Sequence, residues 1–219
     1  MRIVKDGWIF IALPIVVFGA LGGVVRYPGW PVVGWTLWIA GLLMAMFMVY
    51  FFRDPERTPP EDTHAIVAGA DGVVRAVETI RENKDLNTDA IRVSIFLNPF
   101  DVHVNRAPIG GTVTGLSYTP GRHLLTISNA SSEHNEHSSI RIEGEKTRCL
   151  VRQIVGPVVR RVVYWLTENQ VLGKGERIGM MKFGSRLDMY FPAADVNVTI
   201  RKGERVRAGE TVIATITKE

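Results

Sequence analysis

Two long stretches without charge, close to the N-terminus, restrict the fold of this chain more than any other feature of its sequence. No charged side chain occurs in residues 8–25, and after Arg26 none occurs in residues 27–52. An α-helix rises about 1.5 Å per residue and a bilayer core takes about 20 residues to cross, so the second stretch is long enough for a transmembrane helix. The first stretch contains Pro14 and three glycines, and a secretory signal peptide is an alternative for it.

The order of the two stretches favours a helical membrane hairpin over a cleaved signal peptide, because the second and longer apolar stretch follows directly. A single span with a re-entrant segment ranks second. Residues 27–31, with the sequence YPGWP, are typical of a turn at the membrane surface. Four basic residues flank the two ends of the hairpin, whereas one lies at its turn. The four are Arg2, Lys5, Arg53 and Arg57, and the one is Arg26. The positive-inside tendency therefore predicts that both ends lie in the cytoplasm, with the chain in the inner (cytoplasmic) cell membrane.

The rest of the chain predicts a mainly β domain, a compact sandwich or barrel. We therefore divide the sequence into a hairpin of residues 1–52 and a domain of residues 53–219. Residues 54–60 contain three prolines and form a linker. Residues 158–166 are a modest helix candidate. β-branched residues bounded by glycines predict strands at residues 65–68, 72–77, 91–97, 111–116, 139–143, 147–155 and 187–191.

The C-terminal residues 198–216 contain two Gly-Glu turns between short alternating strands, a pattern shared by biotinyl and lipoyl carrier domains. Such carriers present a modifiable lysine in a hairpin, and the sequence shows no such hairpin. We therefore interpret the pattern as a strand arrangement, because a fold does not fix a function. A non-catalytic, membrane-anchored β domain of carrier or adaptor type remains the alternative function.

The net charge restricts the classes of partner that the chain can bind, and its cysteine content indicates the redox state of its compartment. The net charge of the whole chain is +4, and the domain beyond residue 52 is nearer to neutral, which argues against nucleic acid as a partner. Such a domain suits the surface of an anionic membrane leaflet. The single cysteine, Cys149, cannot form an internal disulfide, which fits a reducing compartment.

Two short polar motifs could carry chemistry. In residues 98–108, NPFDVHVNRAP, an extended chain would place Asp101, His103 and Asn105 on one face, where the histidine could act as a general base. A solvated strand face is the alternative. Asp71 lies at a tight turn between apolar runs, where an ordinary turn aspartate is the usual interpretation.

A His-x-x-His pair in residues 133–137, EHNEH, could be taken for a metal site. It lacks a third ligand at a set spacing and lies among serines and asparagines. A solvated loop is the favoured interpretation, and we predict no metal site.

A Gly-Ser pair near the C-terminus has the parts that a self-cleaving chain needs. Ser185 carries a hydroxyl one residue beyond the Gly184 carbonyl, and Gly184 has no Cβ to oppose a strained backbone. Only 35 residues run from Ser185 to the C-terminus. The dipeptide alone is common in turns, so the rest of the chain must decide.

Three motifs taken together resemble the phosphatidylserine decarboxylase family in its short form: ADG at residues 70–72, NPFDVHVNRAP at residues 98–108 and GMMKFGSR at residues 179–186. The match extends in order through nearly the whole chain, including the apolar N-terminus and the short C-terminal piece. Each motif is modest by itself, and the combination is specific.

The resemblance implies a proenzyme that makes its own pyruvoyl cofactor. Ser185 Oγ would attack the Gly184 carbonyl, an N-to-O acyl shift would give an ester, and elimination across Ser185 would release the upstream chain. Hydrolysis of the dehydroalanine would leave a pyruvoyl group at residue 185. The products would be a large subunit, residues 1–184, and a small subunit, residues 185–219, which form a heterodimer whose further oligomerisation is open. No metal and no external cofactor are implied.

The resemblance also implies roles for individual residues. His103 would activate Ser185, and Asp71 would orient His103 as in a Ser-His-Asp arrangement. Longer members of the family carry a second histidine three positions after the first, and here Arg106 stands at that position. His103 is therefore the only histidine of the motif. Asp101 is a lower-ranked alternative partner for it.

The implied reaction is the decarboxylation of phosphatidylserine to phosphatidylethanolamine by a carbon-carbon lyase. The pyruvoyl carbonyl would form a Schiff base with the amino group of the serine headgroup, and His103 could return a proton after carbon dioxide leaves. The hairpin would hold the enzyme beside its lipid substrate, and diacyl and ether lipids are both open. Residues near the site are candidates for contact with the headgroup: Arg106, Lys182, Arg186, Arg122 and Asp101.

Overall fold

The structure is a computed structural model that describes residues 2–27, 29–122, 135–156, 162–182 and 185–217. The chain folds as two compact units, Met1–Glu56 and Arg57–Glu219.

The first unit is a pair of helices, as predicted from the two uncharged stretches. A short 3-10 turn at Lys5–Gly7 leads into α1 (Trp8–Arg26), which is followed by α2 (Pro31–Phe51). Two short antiparallel strands, β1 (Arg2–Ile3) and β2 (Arg53–Asp54), pair the segments before and after the helices. Both helices are long and apolar enough to cross a membrane by length and composition.

Glycines allow the two helices to approach closely. A Cβ on Gly41 would lie 2.6 Å from Phe18 Cβ, and a Cβ on Gly22 would collide with the indole ring of Trp38. The same indole donates a hydrogen bond from Nε1 to the Gly19 carbonyl at 3.0 Å. Small residues at a helix contact are typical of paired membrane helices, because van der Waals packing replaces the hydrophobic driving force there.

The second unit is built from strands, which confirms the mainly β prediction. All seven predicted strands are present, with boundaries that differ by a few residues. The helix predicted over residues 158–166 is wrong at residues 162–164, which form a strand, and residues 158–161 lie outside the described residues. The strands are β3 (Ala65–Val67), β4 (Gly72–Glu82), β5 (Thr88–Phe96), β6 (Val104–Arg106), β7 (Gly111–Thr119), β8 (His137–Glu143), β9 (Arg148–Ile154), β10 (Val162–Tyr164), β11 (Val171–Leu172), β12 (Arg177–Met181), β13 (Arg186–Pro192), β14 (Val196–Val198), β15 (Arg205–Val206) and β16 (Val212–Ile216).

Among the described residues of this unit the strands form three antiparallel sheets. The largest has eight strands in the order β11-β7-β8-β9-β13-β5-β4-β15 and curls into a half-barrel. Two three-stranded sheets have the orders β10-β12-β6 and β14-β16-β3. Strand β13 lies near the middle of the large sheet, hydrogen-bonded to β9 on one side and to β5 on the other. The prediction of a sandwich-like or barrel-like domain is therefore confirmed.

Both faces of β13 are buried, and they differ in character. Leu187 and Met189 belong to the apolar core of the unit. On the opposite face, Arg186 Nε donates to Asp188 Oδ1 at 2.6 Å, and both side chains are almost fully enclosed. Burial, followed by the nearby Asp188 carboxylate, raises the pKa of Tyr190 on this face to about 12. This strand therefore separates an apolar core from a buried ionic layer.

The C-terminal segment forms short strands with glycine turns between them, as its Gly-Glu pattern predicts. Gly203 and Gly209 have φ values of +97° and +75°, a backbone region that favours glycine. Strand β15 joins the large sheet beside β4, whereas β16 joins a small sheet between β14 and β3. The C-terminal residues are therefore part of two different sheets.

Candidate active site

Ser185 lies directly before the central strand β13. Its backbone carbonyl accepts a hydrogen bond from the Leu97 N–H at 3.0 Å, which continues the ladder between β13 and β5 by one pair. The side chain is only 1% exposed. Its Oγ has no hydrogen-bond partner within the part of the chain that the structure describes. Gly184, the predicted cleavage partner, lies outside the described residues.

His103 is held at the start of β6 by two contacts. Its backbone carbonyl accepts a hydrogen bond from the Met181 N–H at 3.2 Å, next to the end of β12. Its ring Nδ1 lies 3.0 Å from the backbone carbonyl of Asp101. A carbonyl oxygen can only accept a hydrogen bond, so Nδ1 carries the proton in the neutral ring and Nε2 is the basic nitrogen.

The alternative of a solvated strand face for this motif is wrong. His103 and Asn105 are fully buried on one side, and Val102 and Val104 are buried on the other. The reason is that β6 is covered by packing on both faces, which alternation of polar and apolar residues does not reveal.

The fold brings the Ser185 segment and the His103 segment into one region. Strand β12 ends at Met181, which is hydrogen-bonded to His103, and β13 begins immediately after Ser185. A chain covers at most about 3.6 Å per residue, so Ser185 lies within roughly 14 Å of Met181 along the backbone. Ser185 is therefore no farther than this from the backbone group that contacts His103.

Asp71 is held in the same neighbourhood by contacts with the C-terminal segment. Its Oδ1 accepts a hydrogen bond from the Ala208 N–H at 2.7 Å, and its Oδ2 accepts one from Arg57 Nη2 at 2.9 Å. Two residues earlier, the Gly69 carbonyl accepts a hydrogen bond from the Arg106 N–H at 2.9 Å. The Asp71 turn thus lies beside β6, the strand that follows His103.

Four of the residues predicted to contact the headgroup are buried: Asp101, Arg106, Lys182 and Arg186. Arg106 Nη1 donates to the Gly175 carbonyl at 2.9 Å. Arg186 is paired with Asp188 and also donates from Nη2 to Ser94 Oγ at 2.8 Å. Lys182 is 5% exposed and lies three residues before the predicted pyruvoyl position.

Asp101 and Arg122 complete the predicted set. Asp101 Oδ2 accepts the Asn98 N–H at 2.8 Å, and Oδ1 lies 3.2 Å from Arg205 Nη2. These contacts close the turn that leads to His103. Arg122 is exposed, and its backbone forms an isolated bridge with Asn135.

The solvated loop predicted for residues 133–137 is wrong where the structure describes it. Glu133 and His134 lie outside the described residues, but Asn135, Glu136 and His137 are buried. His137 begins β8, and burial lowers its pKa, so the ring is neutral at neutral pH. Polar composition suggested a loop, whereas pairing of β8 with β7 and β9 encloses this segment.

A buried chain of polar side chains near the site was missed from the sequence. Gln153 Nε2 donates to Asn105 Oδ1 at 2.8 Å, and Ser138 Oγ donates to Gln153 Oε1 at 2.8 Å. All three side chains are fully buried. Asn105 stood in a motif that drew attention to it, but Gln153 and Ser138 lie in ordinary strands where no local pattern marks them.

Comparisons with known proteins point to one family. A sequence model described as phosphatidylserine decarboxylase matches residues 44–214, a range that contains Asp71, His103 and Ser185. The phosphatidylserine decarboxylase proenzyme of Carboxydothermus hydrogenoformans is 40% identical over 210 residues, covering 95% of this chain and 93% of that protein. The proenzyme of Chlorobium chlorochromatii is 44% identical over 179 residues, covering 81% and 84%. That of Desulfotalea psychrophila is 40% identical over 178 residues, covering 80% and 82%.

Proposed function

We propose that this chain, which belongs to the phosphatidylserine decarboxylase family, cuts itself between Gly184 and Ser185 and then converts phosphatidylserine to phosphatidylethanolamine. Membership of the family makes the chain a carboxy-lyase. One observation carries the self-cleavage step: the Ser185 hydroxyl is buried at the start of a central strand, in the segment that follows the strand paired with His103. An ordinary turn serine would be exposed to water.

Cleavage requires a base, and we assign this role to His103 Nε2. The Ser185 hydroxyl gives up its proton and attacks the Gly184 carbonyl carbon, and the peptide C–N bond breaks to leave an ester. Removal of the Ser185 α-proton then breaks the Cβ–O bond, and residues 1–184 leave as a carboxylate. Water replaces nitrogen at residue 185, ammonia departs, and a pyruvoyl group remains. A positioned base of this kind contributes typically about 10² to 10⁴ in rate.

The residues present fit a pyruvoyl group at position 185. Its precursor is Ser185 itself, and burial of that side chain limits the access of water to a reactive ketone. Once formed, the group supplies a ketone that condenses with the substrate's amine and takes up the electron pair left behind by carbon dioxide. We assign to His103 the return of a proton to the product.

The roles of the charged residues follow from their partners. Asp71 holds the linker residue Arg57 and the backbone of Ala208. We therefore assign it an indirect role, to fix the backbone beside β6, because His103 Nδ1 faces the Asp101 carbonyl. For the headgroup phosphate the buried candidates are Lys182, three residues before Ser185, Arg186, which is paired with Asp188 at 2.6 Å, and Arg106. Asp101 would repel a phosphate, so it is a candidate for contact with another part of the headgroup.

The two apolar helices support an enzyme that works at a membrane, since phosphatidylserine is a lipid. Each helix is long enough to cross a bilayer. We propose that the hairpin anchors the chain in the inner membrane with the β unit on the cytoplasmic side, and that residues 1–184 and 185–219 stay together as a heterodimer.

The test of this function is the fate of the chain when Ser185 is replaced. Purified wild-type protein should give two fragments by intact mass, residues 1–184 and a small fragment beginning with a blocked residue 185. Ser185→Ala should stay uncleaved and release no carbon dioxide from phosphatidylserine labelled in its carboxyl group. Ser139→Ala, which alters another buried serine, should be cleaved normally. An intact wild-type chain would instead favour the carrier or adaptor alternative.

A further inference from the structure

Asn105 lies two positions after His103 and is fully buried. In an extended chain these two side chains share a face. Strand β6 pairs with β12 so that Asn105 is opposite Gly179. Gly179 has no side chain, and a Cβ there would lie 3.1 Å from Gln153 Nε2. The Val163 carbonyl would lie nearer still, so the β10 backbone and the Gln153 amide both lie beside Gly179. Asn105 is hydrogen-bonded to this Gln153 amide.

Strand register places this amide pair close to Ser185. Gln153 of β9 is directly opposite Leu187 of β13, so their side chains lie on the same face of the sheet. Ser185 precedes Leu187 by two residues and continues the same ladder, so its side chain also lies on that face. Gln153 and Ser185 are therefore diagonal neighbours, with Cα atoms about 7 to 8 Å apart.

In the hydrogen-bonded series Ser138–Gln153–Asn105, one donor group lacks an acceptor among the described residues. Asn105 Oδ1 accepts from Gln153 Nε2, and Gln153 Oε1 accepts from Ser138 Oγ. Within the described residues, Asn105 Nδ2 has no hydrogen-bond partner, although the residue is fully buried. A buried donor without an acceptor is unfavourable, and such groups in a site are commonly completed by a ligand or a reacting group.

We propose that Asn105 Nδ2 donates a hydrogen bond to the ketone oxygen of residue 185 in the processed enzyme, and that Gln153 and Ser138 position it. This inference rests on the proposed function. As the substrate's nitrogen bonds to the carbonyl carbon, the electron pair of the C=O bond moves onto the oxygen, where the Asn105 N–H stabilises the charge. The two protons of the amine nitrogen leave with the ketone oxygen as one molecule of water.

The need to orient Asn105 would explain why three polar side chains, Ser138, Gln153 and Asn105, are buried together in a packed interior. Gln153 holds the Asn105 oxygen and so turns the NH₂ group away from β9. Ser138 holds Gln153 in turn. Gln153 and Ser138 thus hold the Asn105 N–H donor in one orientation. A fixed donor of this kind is what stabilises a developing charge.

The test uses hydroxylamine as a probe of the ketone in purified full-length protein. Hydroxylamine adds to the ketone without the lipid substrate, and intact mass of the 185–219 fragment follows the adduct with time. Asn105→Ala should be cleaved like wild type, yet its fragment should form the adduct about tenfold more slowly or worse. Ser139→Ala is the matched control: Ser139 is the neighbouring buried serine of β8 and lies outside this series of hydrogen bonds, so the rate should stay at the wild-type value.

The outcomes separate the two proposals. Absence of a blocked small fragment in the wild type would overturn the proposed function and this inference with it. A wild-type rate of adduct formation in cleaved Asn105→Ala would overturn this inference alone. So would failure of a folded Asn105→Ala chain to cleave, because Asn105 would then act earlier. If Asn105→Ala does not fold, Asn105→Asp, which keeps the acceptor for Gln153 but lacks the donor when ionised, should show the same slow rate at alkaline pH.

Discussion

At the scale of single residues, backbone contacts fix the groups that the proposed chemistry needs. The Asp101 carbonyl accepts a hydrogen bond from Nδ1–H of His103, and this contact leaves Nε2 as the base. The carbonyl of Ser185 is held by the Leu97 N–H. Because main-chain atoms make these contacts, substitution of a neighbouring side chain alone does not remove them. Substitution of His103 removes its Nδ1 contact but leaves the hydrogen bond from the Met181 N–H to the His103 carbonyl, and substitution of Ser185 leaves the bond from Leu97.

Replacement of His103 should separate catalysis from folding. His103→Ala should slow proenzyme cleavage, or turnover after cleavage, by about 10² to 10⁴. The measurement is the cleaved fraction by mass together with release of carbon dioxide from labelled phosphatidylserine. His137→Ala is a matched control, because His137 is also buried and also faces a backbone carbonyl two residues earlier. Wild-type rates for both steps in His103→Ala would remove it from the mechanism.

Gly69 is a residue whose substitution should cost stability. A Cβ there would lie 2.6 Å from Leu187 Cδ2, 3.1 Å from Met189 Sδ and 3.2 Å from the Arg106 carbonyl. Gly69→Ala should therefore lower the free energy of unfolding by about 1 to 3 kcal/mol, as overpacking does. Denaturant unfolding measures the change. Gly173→Ala, where the nearest neighbour of a Cβ would be 3.8 Å away, should be close to wild type, and equal stabilities for the two variants would contradict the packing argument.

At the scale of elements, the sequence predicts the strands better than their partners. Runs such as residues 91–97 and 187–191 mark strands because β-branched and aromatic side chains are concentrated in them. Residues 162–164 have the same composition, but their place next to β12 depends on long-range pairing. Local patterns carry no such information. The helix prediction failed there for this reason.

The candidate site shows the same limit. Ser185, His103 and Asp71 could be selected because each lies in a motif that resembles a known family. Gln153 and Ser138 could not, since their role depends on the register between β8, β9 and β13. The burial of residues 135–137 was hidden by a polar composition that is typical of loops. Nonlocal pairing, which a single sequence does not contain, accounts for each of these misses.

The turn after β4 should make the fold sensitive to acid. Burial raises the pKa of Glu82, but hydrogen bonds from the Leu86 and Asp85 N–H groups and the charge of Arg152 outweigh it, so the pKa lies below 4.5. A lowered pKa in the folded state gives stability that is present above the ordinary value and is lost as the pH falls through the folded value. Denaturant midpoints should therefore fall more steeply below about pH 4.5 in wild type than in Glu82→Gln. Parallel pH curves would contradict this assignment.

At the scale of the whole molecule, the division into two units predicts a division of labour. The helical unit ends at Glu56, and the unit from Arg57 onward contains Asp71, His103 and Ser185. The residues proposed for cleavage thus all lie in the β unit, whereas membrane-length helices lie only in the first unit within the described residues. Self-cleavage and access to a lipid substrate should therefore be separable.

Removal of residues 1–56 tests that separation. A chain that begins at Arg57, and so keeps the Arg57–Asp71 pair, should still cleave itself, because the proposed machinery is intact. It should lose binding to phosphatidylserine vesicles and turnover of the lipid in them. Mass spectrometry measures cleavage and vesicle flotation measures binding. Full-length Ser185→Ala should float although it is uncleaved. Flotation of the truncated chain equal to that of the full chain would refute the anchoring role.

The position of β13 bears on the order in which folding and the proposed cleavage occur. The small fragment would carry this strand, which is hydrogen-bonded on both sides to strands of the large fragment, and also β14, β15 and β16, which are distributed over two sheets. Before cleavage this piece pairs with its neighbours within one chain, which costs less entropy than the pairing of two separate chains. A cleaved enzyme that unfolds would instead need its two fragments to find each other again. After cleavage, unfolding would therefore be hard to reverse. The lifetime of the folded enzyme would depend on its rate of unfolding rather than on its equilibrium free energy of unfolding.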